Sequence, residues 1–316
     1  MESDLKPDYR YPDRRIKLNN GQGPQYPQIC YYILQGALDS VKKLLEKGAS
    51  VNVKTSSGDT PLILAVWRIV NGQDAVFFDL IAAHEHEIEI VNARTNKKRK
   101  TALLLAIETG KPEIVQKILD MGADPNLRGE TDLQTPLYRS LSLYGLARKG
   151  PEWLKKAIRD NLNNPSTLDA IRRHTNGLLG ITLRAQKDAL VNLLDSDRHK
   201  AISDEILNAI LPKQGAYQKN QLEIMRLLLA KGADPNAAHE DSYYNDYNPL
   251  ALACELNLSG IVTDMLEKYG GNFDTIITPK NQPASRTLSL YDIAAGHGAS
   301  AVVDVIIVKS SASFWP

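Results

Sequence analysis

The side chains able to do chemistry are few, and their spacing argues against most of it. His84-Glu85-His86-Glu87 is the densest cluster of metal-ligating types in the chain. A zinc site on a helix uses two His four apart, so that both rings face one way, whereas these two lie two apart and point to different sides. No metal site is expected there. His174 and His199 stand among several Asp and Glu, but no spacing pairs a general acid with a general base. The chain has no Gly-x-x-x-x-Gly-Lys-Ser/Thr phosphate loop, no Cys-x-x-Cys pair and no Gly-x-Ser-x-Gly nucleophile turn. Cys30 and Cys254 lie among apolar neighbours, and two thiols do not make a disulfide framework; they read as reduced core cysteines of an intracellular protein. No catalytic residue, metal or cofactor is expected, and the chain does not read as an enzyme. One charged run stands out. Lys97-Lys98-Arg99-Lys100 reads in three ways: a contact for an acidic partner segment, a short basic nuclear-import signal, or a solvated turn.

Composition narrows the field further. Across 316 residues, 38 basic and 37 acidic side chains leave a net charge of +1, so no global field draws the chain to nucleic acid or to a membrane surface. Met1 to Asp8 lacks the apolar core of a secretory signal. The longest apolar run near the end, Ala301 to Val308, is broken by Asp304, so no membrane span is expected. The expected location is the cytoplasm, with the nucleus as the alternative.

The elements that must position these residues are written as repeats. Glu223-Ile-Met-Arg-Leu-Leu-Leu-Ala-Lys-Gly-Ala-Asp-Pro-Asn236 restates Glu113 to Asn126, and Asp39 to Asn52 is a degenerate third copy. Each is an amphipathic helix, with Ile224, Leu227 and Leu228 at helical spacing, ended by a glycine such as Gly232 that can turn left-handed. Asp234-Pro235 and Asp124-Pro125 then supply a tight turn. A second helix opens at Thr60-Pro61-Leu62, Thr101-Ala102-Leu103 and Thr135-Pro136-Leu137, where a capping hydroxyl precedes the first turn. Corresponding positions are Pro27, Thr60, Thr101, Thr135, Asn248 and Ser289, at steps of 33, 41, 34, 113 and 41. Only the step of 113 demands an insertion.

Thr-Pro-Leu-x-x-Ala followed by Gly-Ala-Asp-Pro-Asn resembles the ankyrin repeat. The resemblance implies an all-α solenoid of about six helix-turn-helix units, with a helical insertion inside the fourth. The inner-helix histidine of that family is replaced here by Ile63, Leu104, Tyr138 and Ala251. The expected organisation is a polar leader at 1–26 and units one to three with the inner helix of unit four at 27–144. An insertion at 145–220 follows, then the outer helix of unit four with units five and six at 221–316. Within the insertion, helices are expected at 152–161, 166–174, 181–194 and 201–211, broken by Pro165, Gly180 and Pro212. Apolar residues run almost to Trp315-Pro316, so either the tail folds back over the last unit or the natural chain continues.

Function in such an architecture falls to the hairpin tips and the inner-helix face, which the core leaves free to vary. The expected function is therefore protein-protein interaction: a scaffold that binds a protein or peptide through a concave face and the insertion. The alternative is the targeting part of a multidomain effector or regulatory enzyme, for instance a bacterial protein delivered into a eukaryotic host cytosol, with activity in the insertion or beyond the C-terminus. The nominated contact residues are Trp67, Arg68, Tyr138 and Arg139 on the inner side, the basic tip Lys97, Lys98, Arg99 and Lys100, and Tyr243, Tyr244 and Tyr247 on an acidic, aromatic tip.

Overall fold

The helices are built to come in pairs, and each begins and ends where its chemistry dictates. The computed structural model describes residues 6–17, 25–95, 100–129, 134–148, 199–239, 244–245, 247–280 and 287–312, with backbone alone over 199–214 and 244–245 and at 312. The expected helices 152–161, 166–174 and 181–194 lie outside the described residues, as does the tail at Trp315-Pro316. Inner helices are α1 (Gln28–Gln35), α3 (Pro61–Val70), α6 (Ala102–Thr109), α8 (Pro136–Arg148), α10 (Pro249–Glu255) and α12 (Leu290–Gly296). Their outer partners are α2 (Leu38–Glu46), α4 (Val76–Ala82), α7 (Pro112–Asp120), α9 (His199–Ala230), α11 (Ser259–Lys268) and α13 (Ser300–Ala312). One extra turn, α5 (Ile88–Val91), follows α4.

Five inner helices open on a side-chain cap. Thr60, Thr101, Thr135, Asn248 and Ser289 accept the backbone N–H three residues on, from Ile63, Leu104, Tyr138, Ala251 and Asp292. Each bond satisfies one of the donors that a helix start leaves orphaned. At Ser289 the bond is reciprocal, since the Asp292 carboxylate takes the Ser289 N–H.

Inner helices stack on inner helices in chain order, and α7, α9, α11 and α13 stack behind them. The apolar stripe of each pair is thereby closed by its neighbours, with Leu44, Phe78, Ile118, Leu228 and Met265 sealed within a continuous core. A ladder of asparagines stitches the turns. Asn52 donates to Glu85 O and accepts from Glu87 N–H. Asn92 does the same with Gly122 and Asp124, Asn126 with Gly232 and Asp234, and Asn236 with Gly270 and Asn272. The rung from Asn126 crosses a sequence separation of 106, which places the second half of α9 next after α7 in the outer layer.

Three further features complete the fold. The described part of the leader lies along the first unit: β1 (Arg15–Lys17) pairs antiparallel with β2 (Gln25–Pro27), and buried Gln28 donates to Asp8 O and Tyr11 O. Asp13 takes the Ser50 N–H at 2.7 Å and so begins the ladder that the asparagines continue. Short strands also join the C-terminal tips, β3 (Tyr244–Asn245), β4 (Ile276–Pro279) and β5 (Leu288–Ser289) forming one antiparallel sheet within a mostly helical fold. Finally, α9 runs unbroken through Pro212, where a break is expected. An interior proline costs about 3 kcal/mol, and docking of the helix against α7 and α8 offsets that cost.

Candidate functional site

Along the inner layer, exposure is uneven. Every residue of α6 is buried, as is the front of α8, whereas Leu34 on α1 and Trp67 on α3 remain 38% and 41% exposed. Between them lies a pocket of about 330 Å³ under the first tips, walled by Tyr26, Leu34, Ile63 and Trp67 and carrying Asp59 and Lys100 at its edge. Asp59 precedes the Thr60 cap, so its position is fixed by the helix start behind it. Burial raises the Asp59 carboxyl above the ordinary range, and a hydrogen bond with Thr55 only partly offsets this.

Lys100 is held from beneath. Its ammonium pairs with Glu108, which is 1% exposed in the last turn of α6, and Arg139 Nη2 reaches the same Oε1 at 2.8 Å. Burial works to raise the Glu108 carboxyl, but Arg139 and Lys100 together hold it below the usual carboxylate value. Three helices converge on this ion cluster. From α9, Tyr217 donates to Glu108 O, Asn220 to Gly110 O and Gln221 to Ile107 O, so that α9 is seated on the carbonyls at the end of α6. Ser140 on α8 donates to Gln221 Oε1 at 2.7 Å.

The nominated residues therefore separate. Trp67 faces out beside the pocket. Arg68 is half-buried, its guanidinium 4.3 Å above the Phe77 ring and donating to Ile33 O at 3.0 Å, where it closes the end of α1. Tyr138 is buried against His239, with ring centroids 4.4 Å apart, and Arg139 is buried in the Glu108 cluster. Tyr247 is buried and its hydroxyl donates to Glu255. Tyr244 lies in β3 with its backbone alone described, and Lys97, Lys98, Arg99 and Tyr243 lie outside the described residues. Leu34, Asp59 and Glu108 escape a sequence reading aimed at large amphipathic side chains. Glu108 carries one signal, a lone acid after the apolar run Ala102 to Ile107.

Elsewhere, the His84-Glu85-His86-Glu87 cluster sits just past α4; His86 Nε2 lies 3.1 Å from Ile81 O, and burial holds its pKa low. No group of three or more His, Cys, Asp or Glu suited to a metal occurs among the described residues. Cys30 and Cys254 are buried and unpaired, with burial pushing both thiols up to about 12. A second pocket of about 270 Å³ lies among Arg148, Glu255, Asn257 and His297 at the ends of α8, α10 and α12. Its charged groups are engaged within the fold, Arg148 donating to Leu256 O and Glu255 accepting from Tyr247. No described helix is long and apolar enough to cross a membrane.

Comparison with known families agrees with this geometry. The profile described as ankyrin repeats (3 copies) matches residues 29–129, and a single ankyrin repeat matches 206–240. No curated protein matches the chain significantly.

Proposed function

From the premise that the chain is an ankyrin-repeat protein, we propose that it is a non-enzymatic binding module that holds a protein or extended peptide on the concave face of its first three units. The observation that carries this is Trp67, which is 41% exposed beside an apolar pocket shared with Leu34. Buried-when-bound Trp, Tyr and Arg dominate protein interfaces because they remove much apolar area at small conformational cost.

On this reading the solenoid has six units. The fourth is α8 with the second half of α9, and the chain between them is an insertion that extends the binding surface. Trp67 is the centre of contact, and Lys97, Lys98, Arg99, Tyr243 and Tyr244 contribute to the partner surface. Arg68, Lys100, Tyr138, Arg139 and Tyr247 shape the surface from behind, through the bonds already described. The protein works in the cytoplasm, where buried reduced thiols such as Cys30 and Cys254 are at home.

A photo-crosslinking amino acid placed at position 67, with a control at Lys42 on α2, tests the face. Partner adducts are expected at 67 alone; equal labelling at both positions, or none at 67, sinks the reading. Changing Lys97, Lys98 and Arg99 to Ser should flatten the salt dependence of capture, because exposed charges are screened within about 10 Å at 0.1 M salt. Lys100 is left in place in that variant, since removing it would take one of its two cationic partners from the buried Glu108.

A further inference from the structure

The pocket beside Trp67 carries a carboxylate among apolar walls. Among the described residues, its charged lining is Asp59 and Lys100. Lys100 is neutralised from inside the protein by Glu108. Asp59 forms no ion pair with any described residue, and it shares the lining with Leu34, Ile63, Leu64 and Leu105. A partly desolvated carboxylate attracts an incoming cation more strongly than an exposed one, because less water competes for it. The apolar walls, meanwhile, can enclose a large hydrocarbon or aromatic side chain.

Resting on the binding reading above, we propose that this pocket recognises an extended segment of a partner protein by one large apolar side chain and a neighbouring Lys or Arg. The apolar group fills the space between Leu34, Ile63 and Trp67, and the cation pairs with Asp59. An extended chain advances about 3.3 Å per residue and alternates sides, so the basic residue lies one or two positions from the apolar anchor.

Selection of a random displayed peptide library against the intact chain tests the assignment, run in parallel against Asp59→Asn and Trp67→Ala. The wild-type chain is expected to enrich segments with a large apolar residue beside Lys or Arg. Asp59→Asn should keep the apolar preference, lose the basic one, and bind the best wild-type peptide about tenfold more weakly, as expected for loss of a hydrogen bond to a charged group. Trp67→Ala should lose the peptide altogether. Enrichment of acidic or uncharged segments, an unchanged profile with Asp59→Asn, or no enriched segment at all overturns the proposal. So does a basic preference that emerges only when Lys97, Lys98 and Arg99 are changed to Ser, since the tip would then already neutralise Asp59. If position 67 crosslinks to a partner while selection shows no apolar-basic pair, the binding face stands and this pocket's specificity falls; if neither occurs, both fall.

Discussion

Two carboxylates close to the same loop contribute to stability with opposite dependence on pH. The Glu108 carboxyl is held low, so its contribution is present above the unfolded value, ordinarily about 4.3, and is lost as pH falls through the folded value. Replacing it by Gln leaves Arg139 buried without a counter-charge, at an expected cost of about 3–5 kcal/mol near neutral pH. Denaturant titration of Glu108→Gln should show that deficit shrinking as the solution is acidified; a deficit independent of pH would remove the ion cluster from the account. The Asp59 carboxyl is raised, so the folded state loses stability as pH rises through its folded value. Asp59→Asn should therefore melt at or above the wild-type temperature at pH 7, and a clear drop would make Asp59 a structural residue instead of a site residue. Neither role could be read from residue type. Asp59 looks like any loop acid, and what raises its carboxyl is the wall formed by α1 and α6.

At the level of the elements, the phrases that start and stop helices were legible because they act locally. Thr60, Thr101 and Thr135 cap the turns that follow them, and Gly36 and Gly110 adopt the left-handed conformation at the ends of α1 and α6. What was not legible is which side chains the neighbouring units cover. Tyr138 is hidden by His239, a residue of a distant tip, and α6 receives a helix from more than a hundred positions away. Gly110 reports on that docking. A methyl group there would lie 2.3 Å from the Tyr217 ring, whereas at Gly48, also left-handed, it would meet nothing within 4 Å. Both Gly→Ala changes bear a backbone cost of about 1–2 kcal/mol, so the excess loss in Gly110→Ala, measured by denaturant, isolates the contact with α9. Equal losses would mean that Tyr217 yields freely. On the other side of α9, Leu228→Ala should cost about 2–5 kcal/mol as a buried large-to-small change, and Leu227→Ala less, because Leu227 is only partly buried.

For the whole molecule, the decisive relation is that the asparagine ladder continues from the turn after α7 to the turn after α9. Asn126 bonds to Gly232 and Asp234 as its fellow asparagines bond to the next turn, so the stack passes directly from α7 to the second half of α9. The step of 113 between Thr135 and Asn248 announced extra chain, the excursion between α8 and the second half of α9. Tyr217, Gln218 and Asn220 already bond to the stack, and Gln218 Nε2 lies 2.8 Å from Ala147 O. The two ends of the excursion are therefore neighbours. Four helical residues, from Gln214 to Gln218, advance only about 6 Å, so a flexible linker of about eight residues, with a mean span near 15 Å, can replace 150–213. Such a variant is expected to keep a single cooperative thermal transition and the protection of Gln221 and Gly232 amides in hydrogen exchange, because every bond that seats α9 on α6 and α8 is retained. Loss of that protection would show that the excursion props the stack. Retained protection together with weaker partner capture would assign it to the binding surface, leaving Trp67 and its pocket to be weighed by their own variants.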